Sequence, residues 1–471
     1  MAEAGFGGNR GAGLRMGAKA WLSTAAILLC LAPATAQQGA PSSSLTLAQA
    51  VKIALEKNPQ RKAVLADTKA AVADLREARS SLMPRLEFSE AATRGDDPVY
   101  VFGSRLRQQR FTVADFALNN LNTPLPISNF TTRFAGTWNL FDSFATWHQI
   151  ARAKLMNLAA AERLGRADQQ IIYQVINAYY ALLLAAKRLQ VAEQSSKTAE
   201  AITNQSQARF DSGLVVESDL LTAKVRAAER REAEIRARSD VEMARAQLNM
   251  AMGVAVDSSF QPSESLAERT LPVPVLGDLE KQALANRPDL NGVAAEEAAQ
   301  RQSVAAAKSS FGPRVNAFAG WELDNPTFVA GGGGNNWLGG IEVQFDLFQG
   351  GAKRAELARQ GALEEKAAAL KQAARDEVQL EVRRAYYDEE ASRQQIEVAR
   401  AATAQAQESF RISRDRYDNG LVTITDLLSG EDAVRRSQTD YWDAIYRYQT
   451  SYANLDLASG TLSAQSPVVL P

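Results

Sequence analysis

Four stretches of the chain alternate apolar and polar side chains with the period of two that is typical of β-strands. The two clearest stretches cover 130–141 and 337–348, a third covers 314–323, and 85–93 gives a weaker fourth. Strands of outer-membrane barrels alternate in this way, with apolar side chains outward, but a soluble amphipathic sheet does so too. Four strands cannot close around a lumen by themselves. The pattern therefore predicts either a soluble sheet or a barrel to which several chains contribute strands.

After each pair of strands, the hydrophobic period changes to that of a very long helix. The stretch 143–208 contains no proline and a single glycine, Gly165, and 351–416 is its counterpart. At ~1.5 Å per residue, each helix would be roughly 100 Å long, so we expect an array of long packed helices. Apolar side chains recur with the four-three spacing of a coiled-coil seam at Ile171, Val175, Ala178, Leu182, Ala185 and Leu189, and again at Tyr441, Ile445, Tyr448, Tyr452 and Leu455.

Each long helix ends at a tight turn that contains glycine. Gly213 and Gly420 supply the left-handed backbone conformation that ends a helix. We expect a side-chain oxygen to cap each returning helix, which completes a hairpin over 143–252 or 351–459. The candidate caps are Ser218 or Asp219 in the first hairpin and Thr425 or Asp426 in the second.

The sequence indicates a tandem duplication of one module. Pro84-Arg85 aligns with Pro313-Arg314, and 209–215 aligns with 416–422. In this second block, equivalent positions lie 207 residues apart, and the first copy has a longer insertion between its two strands. We expect a first repeat (37–253), a proline-containing connector (254–275), a second repeat (276–462) and a C-terminal tail (463–471), with helices over 46–83 and 276–311 that break at Pro59 and Pro288.

The N-terminus has the layout of a secretory signal peptide. Basic side chains precede an apolar run over 20–32, and Ala34-Thr35-Ala36 supplies the small residues of a cleavage site. We therefore expect 1–36 to be removed on export, with Met1 or Met16 as the start. The single cysteine, Cys30, lies in that segment, so we expect a mature chain without a disulfide or a thiolate metal site. Beyond residue 36, no stretch has the roughly 18 consecutive apolar residues of a membrane-spanning helix.

Charge and composition argue against several classes of function. The chain of 471 residues contains 53 Lys and Arg against 54 Asp and Glu, and the charges are interspersed, so no partner nucleic acid is expected. His148 is the only histidine, and no nucleophile motif, metal cluster or phosphate loop accompanies it. The glycines of 331–334 are not followed by Gly-Lys-Ser/Thr and indicate a hairpin loop. We therefore expect no catalytic residue, cofactor or metal.

Four marks occur in both copies of the module. They are a Phe/Tyr-Asp-x-Gly-Leu-Val turn, a following Asp-Leu-Leu, a Pro-Arg pair before the first strand and a Leu-Phe pair after the second. By these marks the chain resembles the outer-membrane efflux proteins, the TolC-like family, over 45–462, and 97–105 looks like a segment of one branch of it. The resemblance implies a mixed α/β membrane protein. Three chains would pool four strands each into a 12-stranded β-barrel in outer-membrane lipid, continued by a periplasmic α-helical coiled-coil barrel.

The resemblance also implies a function and a set of site residues. The homotrimer would passively conduct substrates of a tripartite efflux or type I secretion system, fed by an inner-membrane pump of RND or ABC type. The turns would form the periplasmic tip, where the adaptor contact carries over to Gly213, Leu214, Val215, Gly420, Leu421 and Val422. The periplasmic gate carries over to Asp219, Tyr417 and Asp426.

Two positions depart from the family pattern. Some members carry an arginine where this chain has Val422, bonded across to an aspartate, and an acidic residue where it has Ser429. These departures argue against a gate latched by that ion pair. The alternative function is a soluble periplasmic coiled-coil adaptor or scaffold protein, which would lack barrel strands.

Overall fold

The computed structural model describes residues 43–273, 275–328 and 334–470. The expected signal peptide and residues 331–333 of the expected hairpin loop lie outside the described residues. Most of the described chain is helical. In chain order, the elements are β1 (Ser43–Leu45), α1 (Leu47–Lys57), α2 (Pro59–Ser80), β2 (Arg85–Gly95), α3 (Pro98–Arg107), a 3-10 helix (Val113–Phe116), α4 (Leu118–Asn122), β3 (Ile127–Phe141), α5 (Ala145–Asp211), α6 (Glu217–Met252), β4 (Phe260–Pro262), α7 (Leu276–Asn286), α8 (Pro288–Ser309), β5 (Arg314–Asn325), β6 (Gly334–Gln344), α9 (Ala352–Asp418) and α10 (Ile424–Ala458).

The break between α1 and α2 has a local chemical cause. The side chain of Asn58 accepts hydrogen bonds from the backbone N–H groups of Gln60 and Arg61 at the start of α2. Pro59 is the first residue of α2, where its missing N–H costs nothing. α8 likewise begins at Pro288, so both helices start where the prolines predicted a break.

Two hairpins of long helices dominate the fold. α5 and α9 contain 67 residues each, which corresponds to roughly 100 Å. α6 packs along α5, α10 packs along α9, and α10 also packs along α5, so the two hairpins lie side by side. None of the described helices is both long and apolar enough to cross a membrane. Most of the predicted seam residues are buried between the helices, namely Ile171, Val175, Leu182, Ala185, Ile445, Tyr448, Tyr452 and Leu455.

The four long strands form one antiparallel sheet in the order β2-β3-β5-β6. Arg314 and Gln344 are the last register pair of β5 and β6 at the helical end. β6 therefore ends at Gln344 and not at the predicted Phe348, because Pro313 has no N–H with which to continue the ladder. At the other end the strands run beyond their predicted limits, to Gly95, Ile127, Asn325 and Gly334.

The two faces of this sheet have opposite character, as the alternation predicted. Phe88, Phe134 and Trp138 are exposed on one face, and Trp337 on the same face is 81% exposed. Polar side chains such as Arg133 and Glu322 lie on the other face, where they form an ion pair at 3.3 Å. The helices α2, α5, α8 and α9 join the sheet at one end, so the segments 96–126 and 326–328 lie at the opposite end.

The connection between β2 and β3 contains helices that the sequence patterns did not predict. Asp97 caps α3 by accepting a hydrogen bond from the N–H of Tyr100 at 2.8 Å, and Pro98 is the first helical residue. An acidic residue followed by proline is a common signal for a helix start. That signal was present at Asp97-Pro98, although the stretch is too short to show a hydrophobic period.

The strand-to-helix junctions of the two repeats reach one backbone shape with different residues. Ser143 and Phe144, before α5, have φ values of 56° and 71°, a left-handed conformation that is unfavourable with a side chain. At the equivalent positions before α9, Gly350 and Gly351 have φ values of 59° and 87°. The hydroxyl of Ser143 donates to the carbonyl of Pro313 at 2.8 Å and holds the first junction in place.

Truncation of Ile445 tests where the core lies. Ile445 is 0% exposed and belongs to the main hydrophobic core, to which residues of α5 and α10 contribute. We expect Ile445→Val to cost about 0.5–1.5 kcal/mol and Ile445→Ala about 2–5 kcal/mol, because the larger truncation leaves the larger cavity. Melting of the purified protein, followed by circular dichroism, should show two graded decreases in Tm. Equal Tm values for both variants and the parent would show that Ile445 is not in the core.

Candidate functional site at the two helical turns

The two turns that reverse the long helices have nearly the same geometry. Gly213 and Gly420 have φ values of 72° and 73°, which confirms the left-handed conformation predicted for them. The N–H of Leu214 donates to the carbonyl of Arg209 at 2.8 Å, and Leu421 makes the equivalent bond at 2.9 Å. Each turn is thus a helix end closed by its own backbone.

The residues after each glycine present apolar side chains at the ends of the hairpins. Leu214 and Leu421 are 74% and 72% exposed. Val215 and Val422 are half-buried, and Val422 packs against the small core at the second turn. Each hairpin therefore ends in one half-buried valine and one protruding leucine, and the leucine is available to a partner.

The cap of α10 differs from the prediction. Thr423, and not Thr425, is the capping residue, because the helix begins earlier than predicted. The Thr423 hydroxyl accepts a hydrogen bond from the N–H of Asp426 at 3.2 Å. In return, the Asp426 carboxylate accepts from the hydroxyl and the N–H of Thr423 at 2.7 and 3.0 Å. These two hydrogen bonds, chiefly the one from the hydroxyl, lower the pKa of the Asp426 carboxyl.

The first hairpin has no equivalent cap. The residue before α6 is Val216, which offers no side-chain oxygen, so the prediction that Ser218 or Asp219 caps this helix was wrong. Glu217 and Asp219 instead lie in the first turn of α6. Their charges there interact favourably with the positive end of the helix dipole. The two turns therefore have the same backbone conformation but differ in whether a side chain caps the returning helix.

Arg209 joins the two turns. Its guanidinium donates to the carbonyls of Tyr417 and Asp418 at 2.9 and 2.8 Å. It also lies 3.6 Å from the Asp418 carboxylate and 4.6 Å from the centre of the Tyr417 ring. The last carbonyls of a helix have no partner within the helix and carry the negative end of its dipole. A side chain at the end of α5 thus satisfies the end of α9.

Tyr417 is buried in the small core that this contact covers. It is 3% exposed and packs with Ile202 and Leu427, and its hydroxyl lies 3.4 Å from that of Ser206. Across the residues that the structure describes, no hydrogen bond or ion pair joins Tyr417 to either of the other predicted gate residues, Asp219 and Asp426. Within the described part of one chain, these three residues are therefore not linked by a direct polar bond.

A second polar contact joins the hairpins further from the turns. Arg230 of α6 and Glu431 of α10 are both buried, and Nε of the arginine lies 3.2 Å from Oε2 of the glutamate. The same guanidinium also bonds Asp432, and the hydroxyl of Ser195 on α5 donates to Glu431. Removal of one partner from such a buried pair typically costs about 3–5 kcal/mol. This cluster fixes α6, α5 and α10 relative to one another.

Sequence reasoning missed both contacts, although one left a signal. Arg209 and Asp418 have the equivalents Arg416 and Asp211 in the other repeat, so both residue types occur twice at the turns. Arg230 gives no such signal, because its equivalent is Ser437. Within the described ranges, no group of three or more His, Cys, Asp and Glu could hold a metal ion.

Removal of the Arg209 side chain should loosen the two turns. Arg209→Ala leaves two carbonyls at the end of α9 without their charged donor, a loss of about 1.5–3 kcal/mol per hydrogen bond. Spin labels on cysteines at Ser212 and Asn419 should then give a broader distance distribution in pulsed electron resonance. Arg236→Ala is the control, because the Arg236 side chain is 76% exposed and, among the described residues, forms an ion pair only with Glu232 on its own helix. An unchanged distribution in Arg209→Ala would show that this contact does not hold the turns together.

The chain matches the family model described as outer membrane efflux protein over residues 50–254 and 279–461. It is 24% identical to the outer membrane protein TolC of Escherichia coli over 454 residues, which cover 91% of this chain and 85% of that protein. It is 23% identical over 432 residues to the alkaline protease secretion protein AprF of Pseudomonas aeruginosa, with 89% of this chain and 85% of AprF covered. The family match thus spans both hairpins and the sheet.

Solved structures with the same fold include the CmeC outer membrane channel of Campylobacter jejuni and a membrane protein of Pseudomonas aeruginosa. CmeC is 18% identical with a TM-score of 0.76, and the match covers 90% of this chain and 87% of CmeC. The Pseudomonas protein is 20% identical with a TM-score of 0.76, over 88% of this chain and 93% of that one. From the match to the family model, which spans most of its length, the chain belongs to the outer membrane efflux protein family.

Proposed function

We propose that three copies of this chain form a channel-tunnel that crosses the outer membrane and extends into the periplasm. The channel conducts its substrates passively and has no catalytic role; an inner-membrane pump of RND or ABC type supplies the energy through a periplasmic adaptor. Membership of the family supports this function, and two relatives are named as an outer membrane protein and a protease secretion protein. The observation that carries the proposal is the sheet, because the described residues of one chain leave its apolar face and both its edges uncovered.

The edges of the sheet support an assembly of several copies. β2 and β6 are the outer strands, and each pairs with one neighbour in the described chain. A sheet in lipid must close on itself, since lipid cannot satisfy backbone N–H and C=O groups. Pairing of β6 in one copy with β2 in the next satisfies both edges, and three copies then give a barrel of twelve strands with its aromatic face toward lipid. A soluble adaptor would need another element to cover that face.

The helices support the same assembly. In one chain α10 covers a face of α5, where Asp443 bonds Arg188 at 2.8 Å and Lys187 lies over the Trp442 ring. The equivalent face of α9 instead borders a groove of about 890 Å³ between α9 and α10, lined in part by Ala402. In the repeat, α6 is the helix equivalent to α10. We therefore place α6 of a second copy in this groove, in the register that α10 takes on α5.

The turns then form the periplasmic end of the tunnel. We propose that the exposed Leu214 and Leu421 carry most of the apolar contact with the adaptor, with Gly213, Val215, Gly420 and Val422 shaping the surface around them. The gate residues Asp219, Tyr417 and Asp426 approach one another only between copies. Asp426 contributes charge there but no mobile latch, since its carboxylate is engaged in the cap of α10.

Cross-linking tests the packing of α6 in the groove. Within a chain, Ser195 on α5 contacts Glu431 on α10. In the other repeat, Ala402 on α9 is equivalent to Ser195, and Lys224 on α6 is equivalent to Glu431. In Lys224→Cys/Ala402→Cys, we expect a short thiol cross-linker to yield covalent trimers on a denaturing gel, because the proposed register places the two cysteines of neighbouring copies opposite each other. The expected mature chain has no other cysteine, so the cross-link can form only between these two positions. Arg236→Cys/Ala402→Cys is the control, with its first cysteine about 18 Å further along α6. Trimers from the control pair, or none from the test pair, would contradict this register.

Charge at the turns tests the adaptor contact. We expect Leu214→Glu/Leu421→Glu to abolish efflux while leaving trimers intact, because an apolar docking surface does not accept buried carboxylates. The measurement is ethidium accumulation in cells in which this chain is the only channel of its family. Val273→Glu, at a connector position that is 67% exposed, should retain efflux. Efflux by the double variant at the parental rate would exclude the leucines from the contact.

A further inference from the structure

The segment 96–126 is present only in the first repeat, and it folds back onto the sheet at the end away from the helices. We propose that this segment, here called the insertion, is a plug that narrows the outer mouth of the channel and limits the size of the solutes that leave it. The inference rests on the proposed function, because it takes the polar face of the sheet as the wall of the lumen.

Hydrogen bonds attach the insertion to the polar face of the sheet. The side chain of Gln108 donates to Oδ1 of Asn129 on β3 at 2.9 Å. The backbone carbonyl of Arg107 accepts a hydrogen bond from the Asn336 side chain on β6 at 3.2 Å. The guanidinium of Arg107 lies 3.9 Å from the Glu322 carboxylate on β5. The insertion thus reaches across three neighbouring strands.

The strand register shows that these contacts lie on one face. Glu322 pairs with Arg133 on one side and with Asn336 on the other, and paired residues in an antiparallel sheet point the same way. Asn129 lies an even number of residues from Arg133 on β3, so its side chain points to that face as well. The exposed aromatic residues alternate with these positions and point the opposite way. In the proposed channel, the insertion is therefore inside the lumen and not in lipid.

A buried carboxylate lies beneath the attachment. Asp324, near the end of β5, is 0% exposed. It accepts hydrogen bonds from Asn129 at 2.6 Å, from Thr131 at 3.0 Å and from Asn336 at 3.2 Å. Burial of a carboxylate is costly unless such donors surround it. Because Asn129 and Asn336 also bond the insertion, the insertion and the strand ends form one polar network.

The backbone of the insertion crosses the start of β6 at very close range. A Cβ added to Gly334 would lie 1.4 Å from the carbonyl oxygen of Arg107. Only glycine leaves room for this crossing. The sequence at the start of β6 is therefore matched to a docked insertion.

The insertion also has a small core of its own. The rings of Phe102 and Phe111 lie 4.8 Å apart, and those of Phe111 and Phe116 lie 5.1 Å apart, both edge to face. Arg105 forms an ion pair with Asp115, whose carboxylate also accepts from the N–H and the hydroxyl of Thr112. These contacts hold the segment as a folded unit. Three copies place three such units against the inner wall of one lumen, where each takes up cross-section that solutes would otherwise use.

Size-dependent labelling of a cysteine inside the lumen tests the plug. Thr137 is exposed on the polar face of β3, about 27 Å further from the mouth than Asn129. In intact cells, we expect the cysteine of Thr137→Cys to react with a small charged methanethiosulfonate. It should not react with a bulky polyethylene glycol maleimide, because the plug keeps that reagent out of the lumen. Adding Gly334→Leu, which displaces the backbone of Arg107, should raise labelling by the bulky reagent from background to completion.

Two further variants keep the test decisive. If Gly334→Leu does not assemble, Gln108→Ala/Asn336→Ala removes docking hydrogen bonds without adding bulk and should admit the bulky reagent too. Val113→Ser, at a position of the insertion that is 89% exposed, is the matched control and should still exclude it. The proposed plug would be wrong if the bulky reagent labelled Thr137→Cys in a chain with the parental insertion. It would also be wrong if the undocked variants still excluded that reagent.

A cysteine on the opposite face separates this inference from the function on which it rests. Trp138→Cys lies on the apolar face and should resist both soluble reagents, because lipid covers it. If the small reagent labels Trp138→Cys and leaves Thr137→Cys unreacted, the polar face does not line a lumen, and the proposed channel fails together with the plug. If only the plug proposal is wrong, both the small and the bulky reagent label Thr137→Cys, and Trp138→Cys still resists both.

Discussion

The open edges of the four-stranded sheet are the constraint on which the rest of the molecule depends. A β-strand edge in lipid leaves N–H and C=O groups without partners, so in the proposed channel the sheet is complete only when other copies extend it. The strands lead almost directly into α5 and α9. In that proposed assembly, closure of the sheet also sets the spacing of the hairpins. A groove between α9 and α10, empty in one chain, is the helical counterpart of the unpaired strands.

Local chemistry allowed much of the fold to be predicted from the sequence. Proline at Pro59 and glycine at Gly213 and Gly420 act through their own backbone, so their effects can be read without knowledge of the fold. The end of β6 at Gln344 could not be predicted from its own residues, because it depends on Pro313, which comes directly before the neighbouring strand β5. Element type thus followed from periodicity, whereas limits set by a partner strand did not.

At the candidate site, too, features with a local cause could be predicted from the sequence, and features set by distant residues could not. The protruding leucines follow the turn glycines in sequence, and their exposure follows from the turn. The cap at Thr423 was missed because a shift of one or two residues in a helix start changes which side chain is the cap. Arg209 and Arg230 stabilise the molecule only through residues about 200 positions away along the chain. Such contacts arise from the packing of one hairpin on the other, and no pattern within either hairpin encodes them.

The two strand-to-helix junctions differ in a way that bears on movement. The first holds Ser143 and Phe144 in a conformation that costs roughly 1–2 kcal/mol per residue, and a hydrogen bond to Pro313 secures it. The second reaches the same shape through Gly350 and Gly351, which adopt neighbouring conformations at little cost. Stiffness is therefore unequal where the helices leave the sheet. The second hairpin has a compliant pivot at its root, and a partner pulling on the far ends of both hairpins would swing the second before the first.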